Sequence, residues 1–407
     1  MDAQPHSLRQ DVKLIGLVAA AHGLSHFFQL VIAVLFPLIR DDLGISYTLL
    51  GAATAVYFTA SGICQPFAGI VSDRFGPVRV LNAGLALCAL GIMTAGLAPG
   101  YAWLLLGALL AGAGNSVFHP VDFSILNARV AQQRLPAAYS AHGFCGAMGW
   151  TLAPAFAYGL ATLYNWRVAL LAAALLGLAM IIALRLGRLA VEPLNTPQAR
   201  KAAPRTTWGD DARVFLRLPV LMCFLYFALT AVALTGIQTF GVVTLVALYA
   251  MPVGEASSAL TAYLFASGVG ILGGGYLAMR FRRTDLVAGL GILLSGLVAL
   301  LLATRVVPLP LVVAALGLGG FVYGLSSASR DLIVKDATPA GATGKVYGFV
   351  YSGLDAGQMI LPVFYGWMLD LGKPEAVFYV TFAALALAVL TVLRLPGRRH
   401  QAVAPAS

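Results

Sequence analysis

Twelve apolar stretches run through this chain from one end to the other. Each is near or above the roughly 20 residues that carry a helix across a hydrocarbon core of ~30 Å. They fall at about 13–39, 48–71, 80–98, 102–127, 137–162, 167–186, 219–248, 257–279, 285–304, 309–334, 345–369 and 375–394. Only 10% of residues are charged and the mean hydropathy is +0.86, whereas a soluble domain carries about 25% charged residues. None of the stretches alternates with period two, so a β-barrel is a poor fit. The first is too long for a secretory leader and contains His22 and His26, so it is a span. Cys64, Cys88, Cys145 and Cys223 stand singly in apolar surroundings and suit neither a disulfide framework nor a metal knuckle.

The net charge of +10 is topological and does not point to nucleic acid. Of the 26 Lys and Arg, only Arg40, Arg167, Arg305 and Lys373 lie in the odd-numbered gaps between spans, and Arg330 lies inside a span. The rest occupy the tails and the even-numbered gaps, a positive-inside bias that puts both termini in the cytoplasm. The long polar stretch 187–218 separates six spans from six, giving bundles at 1–186 and 219–407 joined by a cytoplasmic linker. The halves echo each other. GIVSDR (69–74) is matched 206 residues later by GYLAMR (275–280), and YSAHGF (139–144) is matched 205 residues later by GKVYGF (344–349). Parallel six-helix repeats are one transporter architecture.

An ionisable group at mid-bilayer costs roughly 2.5–3.5 kcal/mol on insertion scales, and here such groups gather on three helices. His22, His26 and Gln29 lie in span 1, Asn115, His119 and Asp122 in span 4, and Tyr351, Asp355 and Gln358 in span 11, each set spaced i, i+4, i+7 on one helical face. Gln238 adds a polar group in span 7. His22, His119 and Asp355 all fall about ten residues, ~15 Å, inside a flanking basic residue and so near the midplane, where transporters bind substrate. Spans 6, 9 and 12 are almost free of polar groups and should face lipid. Bland readings compete. A lone membrane histidine often only packs by hydrogen bonding; His142, five residues into span 5, reads as structural; Arg330 and Asp331 read as an ion pair or gate.

GIVSDRFGPVR (69–79) follows the pattern G-x-x-x-D-R-x-G-x-x-R after span 2 and resembles the signature loop of the major facilitator superfamily. There Gly69 would allow close helix approach and Gly76 a tight turn. Asp73 would sit at a neighbouring helix N-terminus, with Arg74 and Arg79 holding cytoplasmic charge, the set acting as a conformational latch. In the second half Met279 and Arg282 replace the acid and the glycine, so the latch is one-sided. NWR (165–167) also resembles the superfamily. GAGNSVFHP (112–120), the spacing of His22 to Pro37 with FPLI (36–39), and GFCGAMGWTLAP (143–154) resemble its fosmidomycin-resistance branch of drug/proton antiporters. There are departures. His26 stands at the branch's acidic position in span 1, Val121 precedes the acid Asp122, Ala108 occupies a frequent arginine position, and Asp355 and Gln358 replace glycines and apolar residues.

The expectation is an all-α membrane protein of twelve spans in two pseudo-symmetric bundles, and a secondary transporter without catalytic or cofactor residues. It would be a monomer in the inner membrane, moving a small solute by alternating access. Proton coupling follows from His22, His119 and Asp355, since histidine titrates near neutral pH, and export follows from the resemblance alone. Two rivals use the same histidines: a transition-metal carrier and, through the HxxxH of His22 and His26, a membrane oxygenase.

Overall fold

The computed structural model describes residues 7–187, 214–281, 283–339 and 343–393, and among them all regular structure is helical. Twelve long helices follow in order. They are α1 (Leu8–Leu43), α2 (Tyr47–Phe75), α3 (Pro77–Gly96), α4 (Tyr101–Arg129), α5 (Leu135–Leu163) and α6 (Trp166–Leu186). Then come α7 (Leu218–Leu234 with Gly241–Tyr249), α8 (Val253–Arg280), α9 (Thr284–Ala303), α10 (Val312–Ala337), α11 (Thr343–Asp370) and α12 (Glu375–Leu393). Ten of the helices are long and apolar enough to cross a membrane by length and composition; α5 and α11, at 29 and 28 residues, also have the length. Most of the 187–218 connection lies outside the described residues.

Local chemistry sets the helix ends. Ser7 opens α1 with a capping box to Gln10, and Asn165 caps α6 by accepting from the Val168 N–H at 2.9 Å. Gly44 at φ +62° closes α1, and Gly76 at φ +91° makes the tight turn between α2 and α3 that its place in the loop motif required. Prolines break two helices. Pro37 lacks the N–H that Ala33 would accept, and α1 narrows to a 3₁₀ turn over Ala33–Leu35. Pro120 does the same to Ser116, so α4 is interrupted between Asn115 and Phe118. In α7 a single π-helical turn, Thr235–Thr239, holds the half-buried Gln238.

The helices gather into two compact units. The first contains α1–α6 with Gln238–Thr261 and Gln358–Lys373. Its helices meet backbone to backbone at glycines. A Cβ on Gly112 of α4 would overlap the Tyr57 carbonyl of α2, and one on Gly149 of α5 would overlap the Gly23 carbonyl of α1. At the end where α1 meets α2, Gly51 lies against the Pro362 carbonyl and Gly366 against the Tyr47 carbonyl just as closely. Asp370 accepts there from the Tyr47 and Thr48 N–H groups at 2.9 and 2.8 Å and from the Thr48 hydroxyl. It caps a helix from a distant part of the chain.

The second unit holds α7 up to Ile237, Ala262–Gly357 and α12. It uses the same device. Gly320 and Gly324 of α10 lie against the Tyr263 and Ser267 carbonyls of α8, and Gly353 and Gly357 of α11 against the Phe224 and Ala228 carbonyls of α7. Between helices in lipid, close packing and hydrogen bonds supply association, because burying apolar surface gains little. Leu175, Leu178 and Ile182 of α6, Leu290 and Leu294 of α9, and Leu387 and Leu390 of α12 are exposed. That is an apolar face suited to acyl chains.

Candidate functional site

The approach of Gly23 to Gly149 fixes the register of α1 against α5, and it brings two imidazoles face to face. His22 and His142 stack with ring centroids 3.6 Å apart and planes 17° apart. Gly146 leaves the space the histidines occupy, since a Cβ there would stand 3.1 Å from His22 Nε2 and 3.4 Å from His26 Cδ2. From the second segment of α4, Asp122 reaches into the same place. Its Oδ2 is 3.1 Å from His142 Nε2 and 3.5 Å from His22 Nδ1. His26 and His119 complete the group, their rings 4.5 and 5.1 Å from that of His22. Asp122 is fully buried, His22, His26 and His142 are no more than 9% exposed, and His119 is the exposed member.

A second polar layer lies beside the first. The Trp150 indole donates to Gln29 Oε1 at 3.0 Å, Gln29 Nε2 donates to Asn115 Oδ1 at 3.3 Å, and Asn115 Nδ2 donates to Ser61 Oγ at 2.9 Å. This chain of bonds crosses α5, α1, α4 and α2 in turn. Trp150 also sets its ring edge on His26, 4.2 Å between centroids. Each donor has an acceptor, so the layer holds its shape in a low-dielectric setting.

Six of the expected site residues, His22, His26, Gln29, Asn115, His119 and Asp122, are thus together. Helices α1 and α4 both contribute, and α5 adds a further wall through His142 and Trp150. Sequence reasoning set His142 aside as structural and left Trp150 and Ser61 unassigned. The signal for α5 was its glycine spacing, Gly146 and Gly149, read only as a family resemblance. Tyr351 and Asp355 belong to the second unit. Asp355 is half-buried there and has no hydrogen-bond partner among the described residues. Tyr351 donates to Asp331 at 3.4 Å. Arg330 and Asp331 form the expected ion pair at 3.0 Å, and the Arg330 guanidinium sits 4.9 Å over Phe227. Gln238 and Gln358 fall in the first unit and are half-buried.

In the loop motif, Arg74 and Arg79 are exposed, with Arg74 resting on Phe75. A Cβ on Gly69 would meet nothing within 4 Å among the described residues, so none of these makes the close approach expected of Gly69. The side chain of Asp73 lies outside the described residues, as do Met279's side chain and Arg282. NWR has a clear physical role. Asn165 caps α6, Trp166 is buried, and Arg167 pairs with Asp42 and donates to the Ala98 carbonyl at 3.1 Å, tying three helix ends together. At the opposite end of α1, Asp11 is fully buried under Arg134, which donates to it through Nε and Nη2 at 2.6 Å. No motif announced this pair.

Comparison with known proteins agrees with this architecture. The chain is 24% identical over 406 residues to the fosmidomycin resistance protein of Escherichia coli strain K12, covering 97% of this chain and 95% of that one. Among solved structures, a bacterial homolog of the human lysosomal transporter Spinster in an inward-facing, unoccupied conformation superposes with a TM-score of 0.74 at 17% identity, covering 95% of each chain. The nucleoside transporter NupG superposes with a TM-score of 0.73 at 14% identity, covering 95% of this chain and 99% of the other. The sequence profile of the Major Facilitator Superfamily matches residues 18–254 and 242–407, essentially the whole chain beyond the first turns of α1. With twelve long helices among the described residues, its G-x-x-x-D-R-x-G-x-x-R loop and this end-to-end match, the chain belongs to the major facilitator superfamily of membrane transporters.

Proposed function

We propose that this chain is a proton-coupled exporter of a small solute, working by alternating access in the inner membrane with both termini in the cytoplasm. The observation that carries the reading is the burial of Asp122 with His22, His26 and His142 inside long apolar helices. Packing alone gives no reason for a carboxylate there, since an Asp within the hydrocarbon is costly, roughly 2.5–3.5 kcal/mol at its centre. A solute-binding centre does, and the adjoining Trp150–Gln29–Asn115–Ser61 chain offers a shaped polar wall. Asp355 is the proposed proton carrier, a half-buried mid-helix carboxylate on the same face as Tyr351 and Gln358. Coupling requires that proton and solute stabilise one conformation differently from the other.

The remaining elements of the reading have separate support. The distribution of Lys and Arg supports cytoplasmic termini. The glycine contacts of Gly51 and Gly366, with the Asp370 cap, support a closed end that must open for alternating access. Likeness to a protein named for drug resistance favours export over import; the changes at His26 and Val121 keep the drug itself out of the proposal. The test is transport in proteoliposomes under an imposed pH gradient. Asp355→Asn should abolish pH-driven movement of solute while the protein stays folded and monodisperse. Undiminished pH-driven transport would remove Asp355 and the coupling with it.

A further inference from the structure

His22, Asp122 and His142 bring one ligand atom each, two imidazole nitrogens and a carboxylate oxygen, within 4.8 Å of one another. Two of the separations, 3.1 Å for His142 Nε2 to Asp122 Oδ2 and 3.5 Å for His22 Nδ1 to the same oxygen, bracket the spacing that a tetrahedral ion imposes. With metal–ligand bonds of about 2.0–2.2 Å that spacing is ~3.4 Å. Two buried polar atoms at this point, His22 Nδ1 and Asp122 Oδ1, have no hydrogen-bond partner. Buried groups left so are costly unless something occupies the place between them. The charge pattern narrows the occupant. A lone buried carboxylate repels an anion, whereas neutral imidazoles and one carboxylate together attract a dication, and this nitrogen–oxygen set without thiolate suits zinc, nickel, cobalt or copper(II) over calcium or magnesium.

We propose that His22, Asp122 and His142 form a binding site for one divalent transition-metal ion, with His119 or His26 supplying the fourth ligand. His119 stands 5.1 Å, ring to ring, from His22 and is the exposed member of the group, so it marks the route by which the ion enters. Binding splays the stacked rings of His22 and His142, because parallel rings cannot aim both nitrogens at one ion. His22 already lies over Gly146 of α5, where a Cβ would stand 3.1 Å from its Nε2, so its movement is toward Asp122. The Gln29–Asn115–Ser61 layer remains outside the coordination shell and holds α1 against α4 and α2.

The test uses the full-length chain without a polyhistidine tag, in a His6→Ala, His400→Ala background, so that only the four clustered imidazoles remain of the chain's six histidines. Purified protein stripped with a chelator is titrated with Co2+, read by its visible absorption and by equilibrium dialysis, and the ion is then displaced with Zn2+. One Co2+ per chain is expected. His22→Gln and His142→Gln should each weaken binding at least tenfold and together by about 100-fold or more. Melting temperature and gel filtration confirm that each variant is folded; should Asp122→Asn fail to fold, the two histidine variants still decide. Absence of stoichiometric binding to the folded protein, or unchanged affinity in the double histidine variant, overturns the proposal. The site is the buried cluster read above as the solute-binding centre, and it is separate from proton carriage by Asp355. Asp355→Asn should leave Co2+ binding intact, so either proposal can fall while the other stands.

Discussion

In the N-terminal copy of the repeat, Gly112 on α4 lies against the Tyr57 carbonyl of α2; in the C-terminal copy, Gly320 on α10 lies against the Tyr263 carbonyl of α8, 206 residues on from Tyr57. The crossing is the same, but the chemistry carried past it is not. Beyond Gly112, α4 breaks at Pro120 and presents Asn115, His119 and Asp122 to its neighbours. Beyond Gly320, α10 runs unbroken from Val312 to Ala337 and carries Arg330 and Asp331, already paired with each other. The first helices of the two copies differ likewise. α1 is tightened to a 3₁₀ turn at Ala33–Leu35 by Pro37, while α7 is loosened to a π turn at Thr235–Thr239 with no proline. A helix crossing in lipid has few ways to be made tightly, and glycine against a carbonyl is one of them. What lines the helix further along is free to diverge.

The sharpest way to break this comparison is to crowd both crossings. Gly112→Val and Gly320→Val each put a side chain into a facing backbone carbonyl, and each should cost more than about 4 kcal/mol, enough to remove the folded protein from gel filtration. If only one of the two fails, the copies do not share the constraint. Gly69→Ala and Gly275→Ala, whose Cβ atoms would meet nothing within 4 Å, should be neutral or stabilising by up to about 1 kcal/mol.

A buried and an exposed ion pair provide the next contrast. Asp11 is fully buried beneath Arg134, whereas Asp42 and Arg167 are 45% and 35% exposed. Asp11→Asn removes a fully buried charge from its pairing with Arg134 and should cost about 3–5 kcal/mol. Asp42→Asn should cost no more than about 1 kcal/mol and lose even that in high salt. Melting temperatures at low and high ionic strength separate the two. Equal losses would show that burial does not set the value of these pairs.

The fold was legible because hydropathy in a bilayer is nearly a ruler. The stretch expected at 48–71 is the helix Tyr47–Phe75, and the one expected at 285–304 is Thr284–Ala303. The site was legible in part. Spacing put His22, His26 and Gln29 on one face, as found. For α4 it assumed a continuous helix, and Pro120 interrupts it, so Asn115 bonds to Gln29 and Ser61 while Asp122 turns to His142 and His22. His142 escaped because it lies only five residues into its expected span. The register of α5 is set by where Gly149 meets Gly23, a long-range contact that no local pattern encodes. Asp355 is half-buried in the second unit, within the C-terminal half where the sequence places it.

A further modest effect is expected of the cap at Asp370, the last residue of α11. Burial pushes this carboxyl up, but the bonds from the Thr48 hydroxyl and from the Thr48 and Tyr47 N–H groups, with Ser46 nearby, outweigh it and hold the group below the ordinary carboxylate range. A depressed pKa means that the cap stabilises the start of α2 fully above about pH 4, the ordinary value, and that the contribution is lost as pH falls through the lowered one. Asp370→Asn should therefore lower stability by about 1 kcal/mol at neutral pH, the usual worth of a helix cap. The difference from the parent should shrink to nothing on acidification, as read by melting temperature across pH. The local cap of α2, Ser46, bonds to the Leu49 N–H at 3.2 Å and carries no charge, so Ser46→Ala should cost a similar amount with no pH dependence. A Ser46→Ala difference that also vanished in acid would mean the whole end opens at low pH, and the effect would no longer belong to Asp370.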